Sequence, residues 1–360
     1  MTKQKLTLRI NGRKIGPGNP CFIIAEISAN HHQNYREAVE LIRAAARTGV
    51  DAVKLQTYTP DTITINLRNK HFLVKGKNLP KSWQGKNLYD LYKLAYTPWD
   101  WHPKLKKLAE DLGLIFFATP FDETAVDFLE SINVPCYKIA SYEALYVPLL
   151  RKVAATDKPV IISQAFFDRA NVEFSLNTLK KAGAKQIAVL HCASQYSDQP
   201  KPQEMNLVMI KEIRDRFGVV SGFSDNNGGI EIPLIAAIMG ASIIEKHFIL
   251  SRRTGGPDAR FSIEPAEMKE LVRKIRTAEK TMGKVHYGGI GTQAKEIKKF
   301  VPSIFAVRKI RKGEFFSPDN IDTKRPGVGL SPKFWDKVIG KKAKRDLEIG
   351  TPLSWNLIKD

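Results

Sequence analysis

The sequence has few cysteines, no long apolar run and a shortage of acidic residues. Its three cysteines lie far apart in 360 residues, which provides neither a disulfide framework nor a paired metal-binding spacing. No run of about 18 apolar residues occurs, and the N-terminal stretch alternates polar and apolar residues. We therefore expect a cytoplasmic protein with no signal peptide and no membrane span.

The charge balance is strongly basic, with 57 Lys+Arg against 37 Asp+Glu and a net charge of +20. Such an excess is compatible with nucleic acid, an anionic membrane surface or small anionic substrates. A basic module that binds nucleic acid or anionic polysaccharide is the rival hypothesis. The chain contains neither an RNA-type aromatic signature nor a DNA-reading helix motif, so we expect no nucleic-acid partner.

Eight short apolar runs recur along the chain, each followed by an amphipathic helical pattern. They begin at Cys21, Asp51, Leu114, Pro135, Pro159, Lys185, Val219 and Ser242. Near-continuous apolar strands are typical of a parallel sheet buried on both faces. Eight such units predict a closed (β/α)8 TIM barrel. A doubly wound open sheet is the competitor, but the Gly-rich nucleotide loop that usually marks it is missing.

Two segments depart from the repeated pattern. A long polar stretch between the second run and about residue 100 is interpreted as a loop insertion. After Gly283 a basic, Gly-containing linker leads into short segments separated by turn signals. The predicted organisation is a barrel over residues 1–285, a linker over 286–298 and a small β-rich domain over 299–360.

Active sites of such barrels lie at the C-terminal ends of the strands, so polar residues ending the runs are candidates. These residues are Glu26, Ser28, Asn30, His31, His32, Lys54, Gln56, Thr119, Lys138, Ser141, Glu143, Ser163, His191, Ser194, Tyr196, Ser224, Asp225, Asn226, Glu245, Lys246, His247 and, in the next loop, Asp258. Lysines and hydroxyls at one barrel mouth predict an anion site for phosphate or carboxylate. A Schiff-base aldolase remains an alternative, because a buried lysine can be a nucleophile.

Several motifs together resemble the sialic acid synthase family, a (β/α)8 barrel joined to a small antifreeze-like (SAF) domain. The motifs are FIIAEISANH, DAVKLQTYTPDT, FATPFD, YKIAS, EKHF, GGPDARFS, RPGVGL and IGTPLSW. Within that family, QTYTPDTIT, GKNLYDLYKLAYTPWDW and GGPDARFS are most similar to the pseudaminic acid synthase branch.

The resemblance implies an enzyme that condenses phosphoenolpyruvate with a 2,4-diacetamido-2,4,6-trideoxy hexose. The products would be a nine-carbon 2-keto sugar acid and phosphate, as in a transferase of the C–C bond-forming class. The alternatives are an N-acetylneuraminate or legionaminic acid synthase, or a paralogue whose altered metal site has changed or abolished catalysis.

The resemblance also assigns roles to individual residues. Those implied to bind phosphoenolpyruvate are Lys54, Gln56, Thr119, Lys138, Ser141, Ser163, Ser194 and Ser224. Those implied to bind the sugar are Glu26, Phe121, Glu143, Tyr196, Asp258 and Arg325, the last reaching across a domain-swapped homodimer. Those implied to be catalytic are Glu26, Lys54, Lys138 and Glu143.

A divalent metal is part of the same expectation, most simply Mn²⁺, with Mg²⁺ or Co²⁺ as alternatives. The metal ligands implied by the motif match are His247 and the residue at position 226. The family usually has histidine there, whereas this chain has Asn226, whose amide oxygen is a weaker ligand for manganese than imidazole. The usual STG of the fifth strand also reads Ser163-Gln164-Ala165.

Overall fold

A computed structural model describes residues 6–76, 79, 82–165, 168–193, 196–289, 291–292 and 296–359. The chain divides into two compact units, Met1–Gly283 and Lys284–Asp360. Each unit has a hydrophobic core of its own. In the part of the chain that the structure describes, no helix is both long enough and apolar enough to cross a membrane.

The first unit begins with an antiparallel hairpin of two short strands, β1 (Leu8–Ile10) and β2 (Arg13–Ile15). Its apolar side chains are buried against barrel residues that include Phe22 and Phe117. This cluster lies inside the barrel on the side where the strands start. The hairpin therefore closes the end of the barrel at which the strands begin, opposite to their C-terminal ends.

Eight parallel strands form a closed barrel, in agreement with the prediction. They are β3 (Phe22–Glu26), β4 (Ala52–Thr57), β5 (Ile115–Pro120), β6 (Tyr137–Ile139), β7 (Val160–Gln164), β8 (Ile187–Ala193), β9 (Val220–Asp225) and β10 (Ile243–His247). Closure occurs where β10 pairs with β3, so that His247 lies beside Glu26. Each strand coincides with one of the eight apolar runs.

Helices cover the outside of the barrel and bury its second hydrophobic layer. They are α1 (Tyr35–Thr48), α2 (Pro60–Ile63), α3 (Leu88–Ala95), α4 (His102–Asp111), α5 (Glu123–Ser131), α6 (Val147–Ala154), α7 (Arg169–Lys181), α8 (Met209–Phe217), α9 (Glu231–Ile238) and α10 (Pro265–Met282). Short 3₁₀ turns span Trp99–Trp101, Pro202–Glu204, Arg252–Thr254 and Ala259–Phe261. The insertion after β4 carries α2 and α3.

The ends of α1 show how local sequence sets a helix boundary. The Asn34 side chain accepts hydrogen bonds from the backbone N–H groups of Arg36 and Glu37, which satisfies donors that the first turn leaves open. At the other end Gly49 has φ of 82°, a left-handed conformation that glycine adopts without steric cost. The helix between these caps buries Leu41 and Ile42 against the barrel.

The second unit is a small β-rich fold, as predicted. Its elements are β11 (Ser303–Ala306), β12 (Ile321–Lys324), α11 (Trp335–Val338), β13 (Lys342–Ala343) and β14 (Ile358–Lys359), with 3₁₀ turns at Ile297–Lys299, Pro332–Phe334 and Trp355–Leu357. Strands β11 and β12 are antiparallel, as are β13 and β14. Ile304, Ile321 and Leu353 are among the residues of its core.

A buried ion pair joins the C-terminal ends of the last two strands, β9 and β10, and lies in the layer between the barrel and the surrounding helices. Side chains alternate along a strand, so Lys246 shares the outer face of β10 with Ile244, and Asp225 shares the outer face of β9 with Phe223. The Lys246 ammonium lies 2.7 Å from Asp225 Oδ2, and both side chains are fully buried. Lys246 also donates to the backbone oxygen of Asn227. These two charges therefore belong to the scaffold and lie outside the barrel mouth.

Breaking this pair should destabilise the protein strongly. Asp225→Leu leaves an unpaired buried ammonium, which we expect to lower the free energy of unfolding by about 3–5 kcal/mol. The double variant Asp225→Leu/Lys246→Met removes both charges and should recover most of the loss. Urea denaturation followed by tryptophan fluorescence measures both effects.

The matched control is the exposed pair of Lys152 and Asp127, whose atoms lie 2.6 Å apart. Lys152→Met should change the free energy of unfolding by less than about 1 kcal/mol, because exposed pairs are screened by solvent. A double variant at 225 and 246 no more stable than Asp225→Leu would contradict the interpretation.

Candidate functional site

A small cavity, here called the inner cavity, lies inside the barrel at the C-terminal ends of the strands. Its lining consists of Glu26, Lys54, Gln56, Thr119, Phe121, Lys138, Ala140, Ser141, Tyr142, Ser163, Cys192, Tyr196, Ser224, Asn226, Glu245 and His247. Its volume of about 60 Å³ has room for roughly two water molecules. Twelve of the residues that the motif match assigned to substrates or metal are in this lining.

The alternation of side chains explains why these residues meet. Lys54 and Gln56 point into the barrel, whereas Leu55 between them packs in the outer hydrophobic layer. Glu245 and His247 point inward from β10 in the same way. The strand-end rule could not separate these residues from the neighbouring Asp225 and Lys246, because separating them requires the register of the strands.

Two lysines and two glutamates form a charge quartet in the inner cavity. Lys54 forms an ion pair with Glu26, and its Nζ lies 2.8 Å from Thr119 Oγ1 and 3.9 Å from Glu245 Oε1. The Lys138 ammonium lies 3.2 Å from the same Glu245 oxygen. Both lysines predicted to bind an anion therefore already have carboxylate partners.

The two carboxylates of the quartet differ in their electrostatic surroundings. Burial opposes ionisation of Glu245, but Lys138 and Lys54 outweigh it and hold the pKa of that carboxyl below its usual value. Burial raises the pKa of Glu26, and Lys54 offsets only part of the effect. Burial also opposes the charge on Lys54, but Glu245 and Glu26 outweigh it and raise the Lys54 pKa. Of the two carboxyl groups, Glu26 is thus the one suited to carry a proton.

Several buried polar atoms of the inner cavity have no hydrogen-bond partner among the described residues. They are Ser163 Oγ, Glu245 Oε2 and His247 Nδ1. Buried polar groups in folded proteins are normally hydrogen-bonded, so an unpaired set at one cavity points to a ligand. A serine hydroxyl suits an anion, and an imidazole nitrogen suits a metal ion.

Position 226 and His247 both line the inner cavity, as the metal expectation requires. Burial, followed by the charge of Lys54, lowers the pKa of His247 to about 3, so the imidazole is neutral and able to ligate. Asn226 Nδ2 donates to Cys192 Sγ at 3.5 Å, which leaves its carbonyl oxygen as the atom for a ligand. No group of three His, Cys, Asp or Glu side chains suited to a metal occurs within the described ranges. The two residues fit a divalent ion whose remaining ligands come from substrate or water.

A second, larger cavity of about 340 Å³ adjoins the first and is here called the outer cavity. Six residues line both cavities, namely Gln56, Phe121, Ala140, Tyr142, Tyr196 and His247. The expected sugar residues Glu143 and Asp258 lie in the outer cavity only. Much of its wall comes from the insertion, including Leu88, Leu91 and Tyr92. These residues were not predicted as site residues, although the segment LYDLYKL in which they lie has the apolar spacing of a helix.

Hydrogen bonds connect the two cavities. Gln56 Nε2 donates to Glu26 Oε1 at 3.0 Å and to Ser28 Oγ at 2.9 Å. Ser28 in turn donates to the buried carboxyl of Asp258. A substrate spanning the two cavities would therefore meet one continuous polar edge on the β3 and β4 side.

Three further sequence candidates, Arg325, His31 and His32, are not part of either cavity lining. Ser194 falls outside the described residues. Arg325 lies in the second unit, exposed and directly after β12, and its reach into a partner copy stays a prediction. Both ring nitrogens of His32 are engaged, by Glu37 and by the backbone oxygen of Gly255, each at 2.8 Å. His31 Nε2 lies 2.9 Å from Thr97 Oγ1.

Comparison with known proteins gives the same two-part organisation. Residues 41–287 match the NeuB family, and residues 301–359 match the SAF domain, which confirms the predicted fold class. The chain is 37% identical over 335 residues to a pseudaminic acid synthase of Helicobacter pylori, covering 93% of this chain and 97% of that protein.

Two further relatives extend the comparison. An N,N'-diacetyllegionaminic acid synthase of Legionella pneumophila is 35% identical over 356 residues, with 98% of each chain covered. The crystal structure of an N-acetylneuraminic acid synthetase from Leptospira borgpetersenii, in complex with citrate, superposes with a TM-score of 0.71. It shares 30% identity and covers 82% of this chain and 97% of its own.

Glu143 should make stability depend on pH. Burial raises the pKa of its carboxyl from 4.5 to about 7. Between these values the folded protein holds a proton that the unfolded chain has released, so stability falls as the pH rises and levels off above about 7. Relative to Glu143→Gln, the wild type should lose stability across that window. Urea denaturation midpoints at a series of pH values, in the presence of a chelator, provide the measurement.

The same substitution at the exposed Glu173 of α7 is the matched control. A difference between wild type and Glu143→Gln that stays constant from pH 4.5 to 7 would show that this carboxyl titrates normally.

Proposed function

This chain belongs to the NeuB family, and we propose from that membership that it condenses phosphoenolpyruvate with a 2,4-diacetamido-2,4,6-trideoxy hexose. The likeness to pseudaminic acid synthases over more than nine-tenths of the chain supports this substrate. The structural observation that carries the proposal is the charge quartet with its unpaired Ser163 hydroxyl, at the base of a larger cavity.

In the proposed reaction, C3 of phosphoenolpyruvate attacks the aldehyde carbon of the open-chain sugar and forms a carbon–carbon bond. The aldehyde oxygen gains a proton and becomes a hydroxyl group. Water adds to C2, and phosphate then leaves as the 2-keto group forms. The balance is one phosphoenolpyruvate, one sugar and one water giving one nine-carbon 2-keto acid and one phosphate, which is a transferase reaction.

The quartet provides the groups for binding phosphoenolpyruvate. Lys54 and Lys138 would pair with its phosphate and carboxylate, in competition with Glu26 and Glu245. Extra negative charge in the cavity favours the protonated form of Glu26, whose pKa is already raised. Glu26 would then donate its proton to the sugar aldehyde oxygen during bond formation.

We also propose a divalent metal, most simply Mn²⁺, held by His247 Nδ1 and the amide oxygen of Asn226. When bound, the ion would polarise the sugar aldehyde as a Lewis acid. The support for it is the buried, unpaired and neutral imidazole beside Asn226 in the inner cavity. With only two protein ligands, binding should be weaker than at a site with two imidazoles.

A legionaminic acid synthase is the second candidate function. The observation that favours it is the 35% identity to the Legionella pneumophila relative over 98% of both chains. The two candidates share the reaction and differ in the stereochemistry of the sugar. A direct comparison of substrates separates them.

Phosphate release from phosphoenolpyruvate is the test of function. With Mn²⁺ present, the wild type should release phosphate and 2-keto acid in equal amounts with the pseudaminic-type sugar, more slowly with the legionaminic precursor and least with N-acetylmannosamine. Lys138→Met should lower kcat/KM for phosphoenolpyruvate roughly 10²- to 10³-fold, the usual effect of losing one charge-stabilising donor.

Lys185→Met is the matched control, because Lys185 is exposed and pairs with Asp157. It should leave activity unchanged. Absence of phosphate release with all three sugars, from folded wild-type protein, would refute the proposed activity.

The metal proposal predicts that Asn226→His tightens Mn²⁺ binding. Mutating a residue that only hydrogen-bonds to a metal ligand typically changes metal affinity by roughly 10- to 100-fold. Replacing an amide oxygen by an imidazole nitrogen changes a ligand itself, so it should raise the Mn²⁺ affinity by at least that factor. Isothermal titration calorimetry without substrates measures it. His247→Ala should abolish binding, and Asn177→His, on the exposed face of α7, is the matched control. Equal affinities of the wild type and Asn226→His would place the metal elsewhere.

A further inference from the structure

The outer cavity has a wall that the proposed chemistry does not explain. The insertion contributes Tyr58, Ile63, Leu88, Leu91, Tyr92 and Ala95 to this wall. Leu91 is buried against the barrel mouth although it belongs to a loop insertion, and Tyr58 stacks edge-on against both Tyr92 and Phe121. An apolar and aromatic surface beside a site for charged, hydroxylated substrates indicates recognition of an apolar group.

The inner cavity is too small to hold both substrates. Its 60 Å³ equals roughly two molecules of liquid water, which is less than the roughly ten non-hydrogen atoms of phosphoenolpyruvate alone require. The sugar aldehyde must meet phosphoenolpyruvate there, so the rest of the sugar has to extend past the residues common to both cavities. Among the described residues, the wall that it then meets consists of Glu143, Asp258 and their neighbours and of the largely apolar and aromatic surface of the insertion.

The outer cavity offers that end of the sugar two carboxyl groups, in addition to the polar ends of aromatic side chains such as Tyr58 and Tyr92. Asp258 is occupied by the Ser28 hydroxyl and the Ala29 N–H group. Glu143 Oε2 is buried and has no partner among the described residues. One unsatisfied carboxyl next to an apolar wall matches an acylamino group, whose N–H binds the carboxyl while its alkyl part covers the wall.

The outer cavity is also larger than an acetylated sugar requires. Its 340 Å³ is a little over twice the roughly 150 Å³ of a cavity that holds the six carbons of benzene, so it has room for about 14 non-hydrogen atoms, whereas the far end of a diacetamido-trideoxy hexose has about ten. Space therefore remains beyond an acetyl group. Helix α3 contributes Leu88, Leu91, Tyr92 and Ala95 to the wall, and its last residue, Ala95, contributes only a methyl group.

We propose that the outer cavity is an acyl-binding site for the substituent at C4 of the sugar, and that it accepts acyl chains longer than acetyl. Leu91 supplies apolar contact in this site and Ala95 supplies room. The inference rests on the proposed condensation, since it takes the aldehyde end of the sugar to lie in the inner cavity. Within that reaction it identifies a class of substrates, 4-acylamino-6-deoxy sugars with variable acyl groups.

The experiment compares 4-N-acetyl, 4-N-propanoyl and 4-N-butanoyl forms of the pseudaminic-type sugar. For the wild type, kcat/KM for the longer forms should lie within about tenfold of the acetyl value, because each added methylene changes such ratios by roughly 10- to 200-fold only where a pocket excludes it. Ala95→Leu should fill the space and lower kcat/KM for the butanoyl form at least tenfold more than for the acetyl form. The change should appear in the KM for the sugar, with the KM for phosphoenolpyruvate unchanged.

Two further variants guard against misfolding as an explanation. Leu91→Asn should raise the KM of all three sugars, whereas Leu91→Met, which conserves volume and apolar character, should keep the three KM values near those of the wild type. Ala170→Leu on the exposed face of α7 is the matched control for Ala95→Leu and should alter no ratio.

Calorimetry of each sugar in the presence of phosphoenolpyruvate provides a readout that does not require turnover. Rejection of the propanoyl and butanoyl sugars by the wild type, or an unchanged butanoyl-to-acetyl affinity ratio in Ala95→Leu, would overturn the acyl-site inference. Absence of phosphate release with every sugar, alongside graded binding that Ala95→Leu abolishes for the butanoyl form, would overturn the proposed activity and support the acyl site.

Discussion

The requirement that buried charges be compensated governs the barrel mouth. Lys54 and Lys138 are almost fully buried, and isolated ammonium groups could not remain charged there without Glu26 and Glu245. The four residues come from three neighbouring strands, β10, β3 and β4, and from the more distant β6. The curvature of the closed barrel brings Lys138 of β6 to within 3.2 Å of Glu245 of β10, so the charge balance of the site depends on the fold. An incoming anion exchanges partners within the quartet, and this exchange links binding to the protonation of Glu26.

Most of the barrel and inner cavity could be predicted from the sequence because both follow from short-range patterns. Apolar runs predict the strands, and the polar residue that ends each run predicts the cavity lining. The rule fails for Lys246 and Asp225, which end their runs equally well but face the helices. Whether a residue points into the barrel depends on register, and register is fixed by pairing with neighbouring strands, which a single run does not encode.

The outer cavity could not be predicted for a different reason. Its wall is built by an insertion whose polar composition indicates a loop, and the few apolar residues within it become a surface only after packing over the barrel mouth. The pairing of Asn226 with Cys192 was likewise invisible, since these residues lie 34 positions apart and meet across the adjacent strands β8 and β9. Motif comparison identified the substitution at position 226, and the structure supplied the neighbour that orients it.

The hairpin formed by β1 and β2 affects the route by which substrates enter the site and products leave it. Because it seals one end of the barrel with packed apolar side chains, molecules enter and leave through the other end. In a site with one entrance, a ligand that binds deeper must enter before, and leave after, a ligand that binds nearer the entrance. Under the proposed reaction, the small phosphorylated substrate must take its place before the sugar covers it, and the inorganic phosphate departs after the sugar acid has gone. The hairpin at the closed end of the barrel thus leaves the C-terminal ends of the strands as the route for ligands.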